Sequence, residues 1–478
     1  MRFIADFHIH SRFARACSKA LSLPRIAAWA QIKGIDVISV ADFTHPAWFS
    51  EIEEQLEESD HEGLYRLSQA AHTESELYRK MLVQRPERDV FFIFTTEVSC
   101  IYSDRGKVRR IHLLVFAPSR EAARAFAAAL KKRGANISSD GRPILGMSAR
   151  DILSIALEVD ERCFVVPAHA WTPWFAIFGS KSGFDSIEEC FGDLSSHITA
   201  IETGLSSDPP MNWQLSRLND IALISSSDAH SLEKLGREAT VFEGDTLSYN
   251  SLVHALQPLR AVNYETPSSD VLGGQIRSNC ARKDLTPQDA LEGFRNSRLR
   301  EAPLDSARDL RLASTIEFYP EEGMYHVDGH RECAFSCEPE RTKKINSTCP
   351  VCSRPLTVGV LNRVSQLADQ SGEMRGRGHR SYVSIVPLQE IIAEYFGVGV
   401  KSKKVQKIFF ELINRCGTEF EVLLDLDRAE FPAGIPIEIF DGITAMREKK
   451  ISLTPGYDGV YGKISVIAQI KDSQSALF

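Results

Sequence analysis

Two histidines one residue apart close the first apolar run of the chain, Ala5-Asp6-Phe7-His8-Ile9-His10-Ser11. In an extended segment residues i and i+2 point to the same side. A strand from Arg2 to His10 therefore presents Asp6, His8 and His10 on one face and packs Phe7 and Ile9 behind. Two imidazoles so placed can chelate one metal ion. The pattern recurs: Asp228-Ala229-His230 follows the apolar run Ile221 to Ile224, Asp42 and His45 follow Val37 to Val40, Glu97 follows Phe91 to Phe94, and His169 follows Phe164 to Val166. His112 lies inside the run Arg-Ile-His-Leu-Leu-Val. A single histidine in an apolar run is ordinarily a hydrogen-bonded core residue. Ligand-type residues at one strand end after another call for a different reading, a cluster of two or three divalent ions such as zinc, manganese, magnesium or iron.

A second set has metal-ligand spacing of another kind. Cys349-Pro350-Val351-Cys352 is a tight knuckle, and His330-Arg331-Glu332-Cys333-Ala334-Phe335-Ser336-Cys337 lies close upstream. Cys333, Cys349 and Cys352 would hold a structural zinc, with either His330 or Cys337 as the fourth ligand. The competing reading, a redox Cys-x-x-Cys, lacks the βαβ context of a thioredoxin-like unit.

A third set could meet nucleic acid. Trp171, Trp174 and Lys181 fall in an aromatic, then glycine-rich segment after the strand ending at Val166, where stacked bases and a phosphate would suit them. The bland alternative is a loop anchored by its own aromatic packing. Ser206, Ser207 and Asp208 follow the strand Ala200 to Thr203 and could line a small polar pocket.

These residues need a scaffold that gathers strand ends. From residue 1 to about 260 strand-like runs alternate with helical patterns, the sign of βαβ units; strand ends converge at one mouth in an α/β barrel. Helices are expected at Leu23 to Lys33, at Arg120 to Arg133 and after Ser148, with two solvated helices between Glu51 and Met81. Residues 258–312, broken by prolines and rich in arginine, read as an insertion; amphipathic helices follow at Pro387 to Phe396 and Ser402 to Cys416. The expected organisation is a metallohydrolase barrel over 1–318, a zinc-binding domain over 319–362, and a mainly helical, DNA-contacting domain over 363–478.

A chain of 478 residues has ample material for such a core, and 43% hydrophobic with 25% charged residues is ordinary for a globular protein. The net charge of −8 excludes a histone-like basic coat but not a local basic groove. With no run of eighteen apolar residues and no signal-type apolar region near Met1, the expectation is a cytoplasmic protein without a membrane span.

The set His8-x-His10, Glu97, His112, His169 and Asp228-x-His230 resembles the PHP (polymerase and histidinol phosphatase) superfamily of distorted α/β barrels with multinuclear metal sites. More narrowly, Asp42-Phe43-Thr44-His45-Pro46, the run from Pro167 through Trp174 to Asp193, Glu202 to Pro210, Ser227 to Glu238, and Ile316 through Cys352 resemble endonuclease Q, over nearly the whole chain. The resemblance implies an endonuclease that nicks duplex DNA 5′ of deaminated bases (uracil, hypoxanthine, xanthine) and abasic sites, leaving a 3′-hydroxyl and a 5′-phosphate. Glu97, Asp228 and His230 would then serve at the cleaved phosphate. Phe43 stands where many PHP proteins carry a metal-binding histidine, which leaves Asp42 and His45 as alternatives. The segment 258–312 is longer than the family leads one to expect. Finally, Gln474, Leu477 and Phe478 form Gln-x-x-Leu-Phe, which resembles the pentapeptide by which bacterial repair proteins dock on the sliding clamp.

Overall fold

The computed structural model describes residues 1–85, 87–257, 310–373 and 380–467. Nearly all of the expected insertion, residues 374–379 of the glycine- and arginine-rich stretch, and Gln474, Leu477 and Phe478 lie outside the described residues.

Strand Arg2–Asp6 is the hub of the main sheet. It runs parallel to Val37–Ser39, which runs parallel to Phe91–Ile93, and its other edge pairs antiparallel with Ala239–Glu243. Ala239–Glu243 pairs antiparallel with Arg311–Glu317, which in turn takes Ser381–Ser384 as a parallel neighbour. From Phe91–Ile93 the chain passes directly into Thr95–Asp104, a strand that pairs antiparallel with Lys107–Phe116; Phe164–Pro167 then pairs antiparallel with the latter. Ala200–Glu202 and Ala222–Ile224 are a parallel pair. A parallel bridge between Ile9 and Ala229, and the Ser225 N–H donating to Thr240 Oγ1 at 3.0 Å, bring the chain back to its first strand. The result is a closed but distorted α/β barrel.

The mixed directions differ from an all-parallel barrel for a local reason. Only Arg105 and Gly106 separate the two long strands, at φ 48° and 75°. A turn that short, with both residues left-handed, makes a hairpin and leaves no room for the crossover a parallel pair needs.

Alternation in the first strand sends Phe7 inward, where it meets Phe116 and Phe242 edge to face at 5.3 Å and 5.9 Å. Val166, Ala200 and Ile224 fill the same interior. Each ring so buried contributes about 1.5–3 kcal/mol relative to exposure.

Helix Leu23–Lys33 begins with Pro24 in its first turn and ends at Gly34, φ 95°. A Cβ on Gly34 would meet Thr418 Oγ1 at 2.7 Å, so the stop signal also permits a close approach of the C-terminal segment. Trp29 on that helix stacks on Phe409 of helix Lys403–Cys416, and Lys33 forms a buried ion pair with Glu419. Together with the added strand Ser381–Ser384, these contacts make the C-terminal segment an extension of the barrel wall.

Between Glu51 and Met81, where two helices are expected, the hairpin Leu56–Glu58 and Tyr65–Leu67 separates helices Pro46–Gln55 and Gln69–Leu82. Leu56, Tyr65 and Leu67 are buried against the sheet edge, a tertiary gain that outweighs local helix preference. Among the described residues, no helix is long and apolar enough to cross a membrane.

Candidate metal centre

Strand ends place the ligand-type side chains, and the backbone bends sharply to do so. Asp42, His169 and Asp228 have φ of 33°, 28° and 46°, in the left-handed region that non-glycine residues rarely occupy. Such strain persists where the surrounding structure enforces it, and it clusters at functional sites. Gly204, φ 62°, packs so closely on His169 that a Cβ would sit 2.5 Å from the His169 Cβ.

The side chains converge on Glu97. Its Oε1 lies 2.5 Å from His112 Nδ1 and 3.2 Å from His169 Nε2; its Oε2 lies 3.3 Å from His10 Nε2 and 3.6 Å from His8 Nε2. Asp228 Oδ1 lies 3.1 Å from His10 Nε2 and 3.6 Å from His8 Nε2. Three overlapping donor groups result: His8, His10 and Glu97; His10, Asp228 and His230; Glu97, His112 and His169. In each, the donor atoms lie within 4.8 Å of one another, and shared members make the groups one cluster.

The cluster fits divalent cations on two counts. His8 Nε2 is buried and has no hydrogen-bond partner among the described residues, although carboxylates stand near it. A lone pair so placed is satisfied by a metal at about 2.0–2.1 Å. Second, burial lowers the basicity of His8 and His10, but Glu202, Glu97 and Asp228 around the first, and Asp228, Asp42 and Glu97 around the second, outweigh it. Both are lifted well above the usual histidine range. A field that holds protons on buried imidazoles also draws a divalent ion. Burial keeps His112 neutral, its pKa pushed down to about 4, the form that ligates.

Asp42 and His45 stand outside the cluster. Asp42 Oδ1 accepts from His10 Nδ1 at 3.2 Å and so aims that ring, while its Oδ2 accepts from the Ser11 N–H at 2.7 Å. His45 caps helix Pro46–Gln55: its Nδ1 accepts from the Trp48 N–H at 3.4 Å while Nε2–H donates to Ser138 O at 3.1 Å. Neither nitrogen is left for a metal.

Two residues outside the candidate set, Glu202 and Arg142, contact the cluster directly. Glu202 closes the apolar run Ala200–Ile201 and accepts from His8 Nδ1–H, a position that carries the same signal as Glu97. Arg142 donates from Nη1 to Glu97 Oε2 at 3.0 Å. It lies in the loop Asp140-Gly141-Arg142-Pro143, where no periodicity marks it.

A cleft of about 600 Å³ opens beside His112 and His169, lined by Arg15, Arg110 and Arg142 together with Trp174, Phe175 and Tyr325. Trp174 meets Tyr325 edge to face at 5.5 Å, which brings the barrel loop against the segment that leads into the cysteine-rich region. Lys181 lines an adjoining cavity of about 320 Å³ with Lys107, Arg109 and Arg110. Trp171 behaves otherwise. It is wholly buried, packs on Phe178 and donates to Asn212 Oδ1 at 2.7 Å, so it anchors the loop instead of facing a ligand. Ser206, Ser207 and Asp208 do not line the cleft; Ser207 Oγ donates to Thr203 O, and Asp208 caps helix Pro209–Asn212 by accepting from the Met211 N–H.

In the cysteine-rich region His330, Cys333, Cys349 and Cys352 bring their ligand atoms within 4.8 Å of one another. Cys337 is not one of the four. In the hairpin of Asp328–His330 with Phe335–Cys337, His330 opposes Phe335 and Cys337 opposes Asp328, so the two alternatives for the fourth position fall at opposite ends. Cys337 Sγ sits 3.2 Å from Thr342 Oγ1, in a small core that it shares with Cys349 and Leu356. Burial raises the Cys349 thiol, but the N–H groups of Cys352 and Val351 outweigh it and bring it to about 7, toward the thiolate that zinc needs.

Comparison with known proteins bears on this geometry. Residues 387–450 match the family model described as MJ0043 C-terminal domain, and residues 211–260 match the one described as PHP-associated. The chain is 27% identical over 479 residues to the uncharacterized protein YqxK of Bacillus subtilis, covering 97% of this chain and 99% of that one. It is 28% identical over 299 residues to the uncharacterized protein MJ0043 of Methanocaldococcus jannaschii; there the match covers 62% of this chain but spans only 31% of that protein. Among solved structures, the lesion-specific endonuclease PfuEndoQ from Pyrococcus furiosus superposes with a TM-score of 0.74 at 26% identity, covering 99% of both chains. An endonuclease Q in complex with a 27-mer duplex carrying an abasic lesion at its active site gives the same TM-score and identity over 98% of both chains.

Proposed function

From the premise that the chain belongs to the endonuclease Q family and is built on a PHP-type barrel, we infer that it is a metal-dependent endonuclease of DNA repair. We propose that its substrates are duplexes with an abasic site or a deaminated base (uracil, hypoxanthine or xanthine), nicked on the 5′ side to leave a 3′-hydroxyl and a 5′-phosphate. One observation carries the reading: His112 and His169 of the histidine and carboxylate cluster line a cleft that also carries three arginines and the rings of Trp174, Phe175 and Tyr325. Arginines meet a phosphate backbone, and aromatic rings accept an unstacked base whatever its identity. A lesion is cheaper to extrude because its pairing is already weak or absent.

His8, His10, Glu97, His112, His169, Asp228 and His230 would hold the metal ions, and Asp42 and Glu202 aim two of these imidazoles. The chemistry a bound cluster supplies is a hydroxide near neutral pH and neutralisation of charge at the phosphate. His330, Cys333, Cys349 and Cys352 would hold a structural zinc that keeps the segment bearing Tyr325 in place. A second proposed partner is the sliding clamp, engaged through Gln474, Leu477 and Phe478.

A labelled duplex with a single abasic site or deoxyuridine, incubated with the protein and Mg²⁺, Mn²⁺ or Zn²⁺, tests the assignment. The expected product is one nick 5′ of the lesion and none in the undamaged duplex. Release of phosphate from small monoesters without nicking would replace this reading with a phosphomonoesterase. Deleting Leu477 and Phe478 should abolish co-elution with the clamp and leave cleavage of a short duplex unchanged.

A further inference from the structure

We propose that Arg142 is the phosphate grip of the metal centre, its guanidinium donating to a non-bridging oxygen of the phosphate that is cut. The inference rests on the phosphodiesterase reading and adds a binding residue that the ligand set does not contain.

Position is the first argument. Arg142 Nη1 lies 3.0 Å from Glu97 Oε2, the same oxygen that stands 3.3 Å from His10 Nε2. The guanidinium is thus one carboxylate away from the centre of the cluster. Its side chain keeps 27% exposure and lines the cleft beside His112 and His169, where a phosphate at the metal centre would come within reach.

Rigidity is the second. Asp140 accepts from the backbone N–H of both Arg15 and Arg142 at 3.2 Å, and the Gly141 N–H donates to Phe13 O at 3.1 Å. Beyond the loop, the Ser99 N–H donates to Pro143 O at 3.0 Å, tying it to strand Thr95–Asp104, which carries Glu97. At Gly141 a Cβ would sit 2.3 Å from Asp42 Oδ2 and 2.9 Å from the Ala14 amide, so the loop closes down on the carboxylate that aims His10. The chain therefore uses one residue without a side chain and several hydrogen bonds to fix one arginine beside the cluster.

Chemistry is the third. A guanidinium stays charged at any working pH and presents a planar fork matched to two phosphate oxygens. A phosphodiester gains negative charge as the attacking oxygen adds, so a fixed cation at the non-bridging oxygens stabilises that state more than the ground state. An arginine needed only to neutralise Glu97 would have no use for a place on an open cleft.

The test compares Arg142→Lys and Arg142→Gln with the unaltered protein, all loaded with Mn²⁺ and assayed for bound metal. The probe is inorganic phosphate, titrated by calorimetry. The glutamine variant should keep its metal and lose phosphate affinity roughly ten- to a hundredfold, with lysine between. On a duplex with an abasic site, the single-turnover rate should fall in the same order while duplex affinity changes less than threefold. Phosphate affinity within twofold of the unaltered protein in Arg142→Gln would overturn the proposal. So would loss of metal in both variants, which would make Arg142 a support for Glu97. If the unaltered protein nicks no DNA, the endonuclease reading fails, and phosphate titration still decides Arg142.

Discussion

His8 Nδ1–H donates to Glu202, 3.0 Å from Oε2 and 3.1 Å from Oε1, and the backbone N–H of His169 donates to the same carboxylate at 2.8 Å. One buried carboxylate thereby fixes the tautomer of one cluster histidine and the backbone of another. A partner of this kind typically changes metal affinity about 10- to 100-fold when altered. Glu202→Gln should weaken metal binding by that factor with the fold retained, measured by titration with a competing chelator. Unchanged metal affinity would reduce Glu202 to a packing residue.

His8→Ala and Asp228→Ala should each lower nicking by roughly a hundredfold or more while the variants melt as folded proteins. The barrel interior is made by Phe7, Phe116 and Phe242, and does not depend on polar groups at its mouth. Duplex affinity should survive. A rate within tenfold of the unaltered protein would remove that residue from the metal set.

His45→Ala should behave differently from both. With its two ring nitrogens committed to Trp48 N–H and Ser138 O, His45 is a helix cap. The variant should keep its metal and its rate and lose about 1 kcal/mol of stability in urea denaturation. A loss of metal would return His45 to the ligand set.

Cys349→Ser and Cys352→Ser should release zinc and expose residues 320–360 to proteolysis, because a structural zinc contributes folding free energy directly. Cys337→Ser should retain zinc, since its sulfur lies against Thr342 Oγ1 and outside the group His330, Cys333, Cys349 and Cys352. Zinc loss from Cys337→Ser with zinc kept in His330→Ala would reverse the assignment of the fourth ligand.

Glu317 closes strand Arg311–Glu317, and Glu238, just before strand Ala239–Glu243, comes opposite it in the antiparallel register. Glu317 Oε2 accepts from Thr203 and Ser225 hydroxyls at 2.9 Å, and its Oε1 has no hydrogen-bond partner among the described residues. Burial pushes Glu317 up to about 8, and burial with the charge of Glu317 lifts Glu238 as well. Between the ordinary value of 4.5 and about 8 the folded chain holds more protons than the unfolded one. Stability from this site is therefore full below the ordinary value and is lost as pH rises through about 8. Glu317→Gln, which keeps an acceptor and cannot ionise, should gain on the unaltered protein in urea melts as pH rises from the ordinary value of 4.5 to about 8. A pH-independent difference would show that Glu317 is charged in the fold.

Local sequence sufficed where a short-range rule decides the outcome. Helix Leu23–Lys33 was readable from its early proline, the helix that follows Ser148 from that serine at its start, and the cluster members His8, His10, Glu97, His169, Asp228 and His230 from apolar strands that stop at a ligand-type residue. Alternation with a period of two fixes which face such residues share, and that is a property of the backbone alone. What the tertiary structure decided is who meets whom. Asp42 and His45 look alike as candidates in sequence, but helix capping claims one and His10 the other. Trp171 and Trp174 sit in one loop, yet Asn212 and Phe178 close over the first while the second faces Tyr325, some 150 residues away. His330 and Cys337 were equal until the register of one hairpin separated them. Arg142 has no signature at all, because its position comes from a glycine that lets its loop press on Asp42. Contacts of that kind join residues distant along the chain, and spacing along a single chain carries no information about them until the barrel closes.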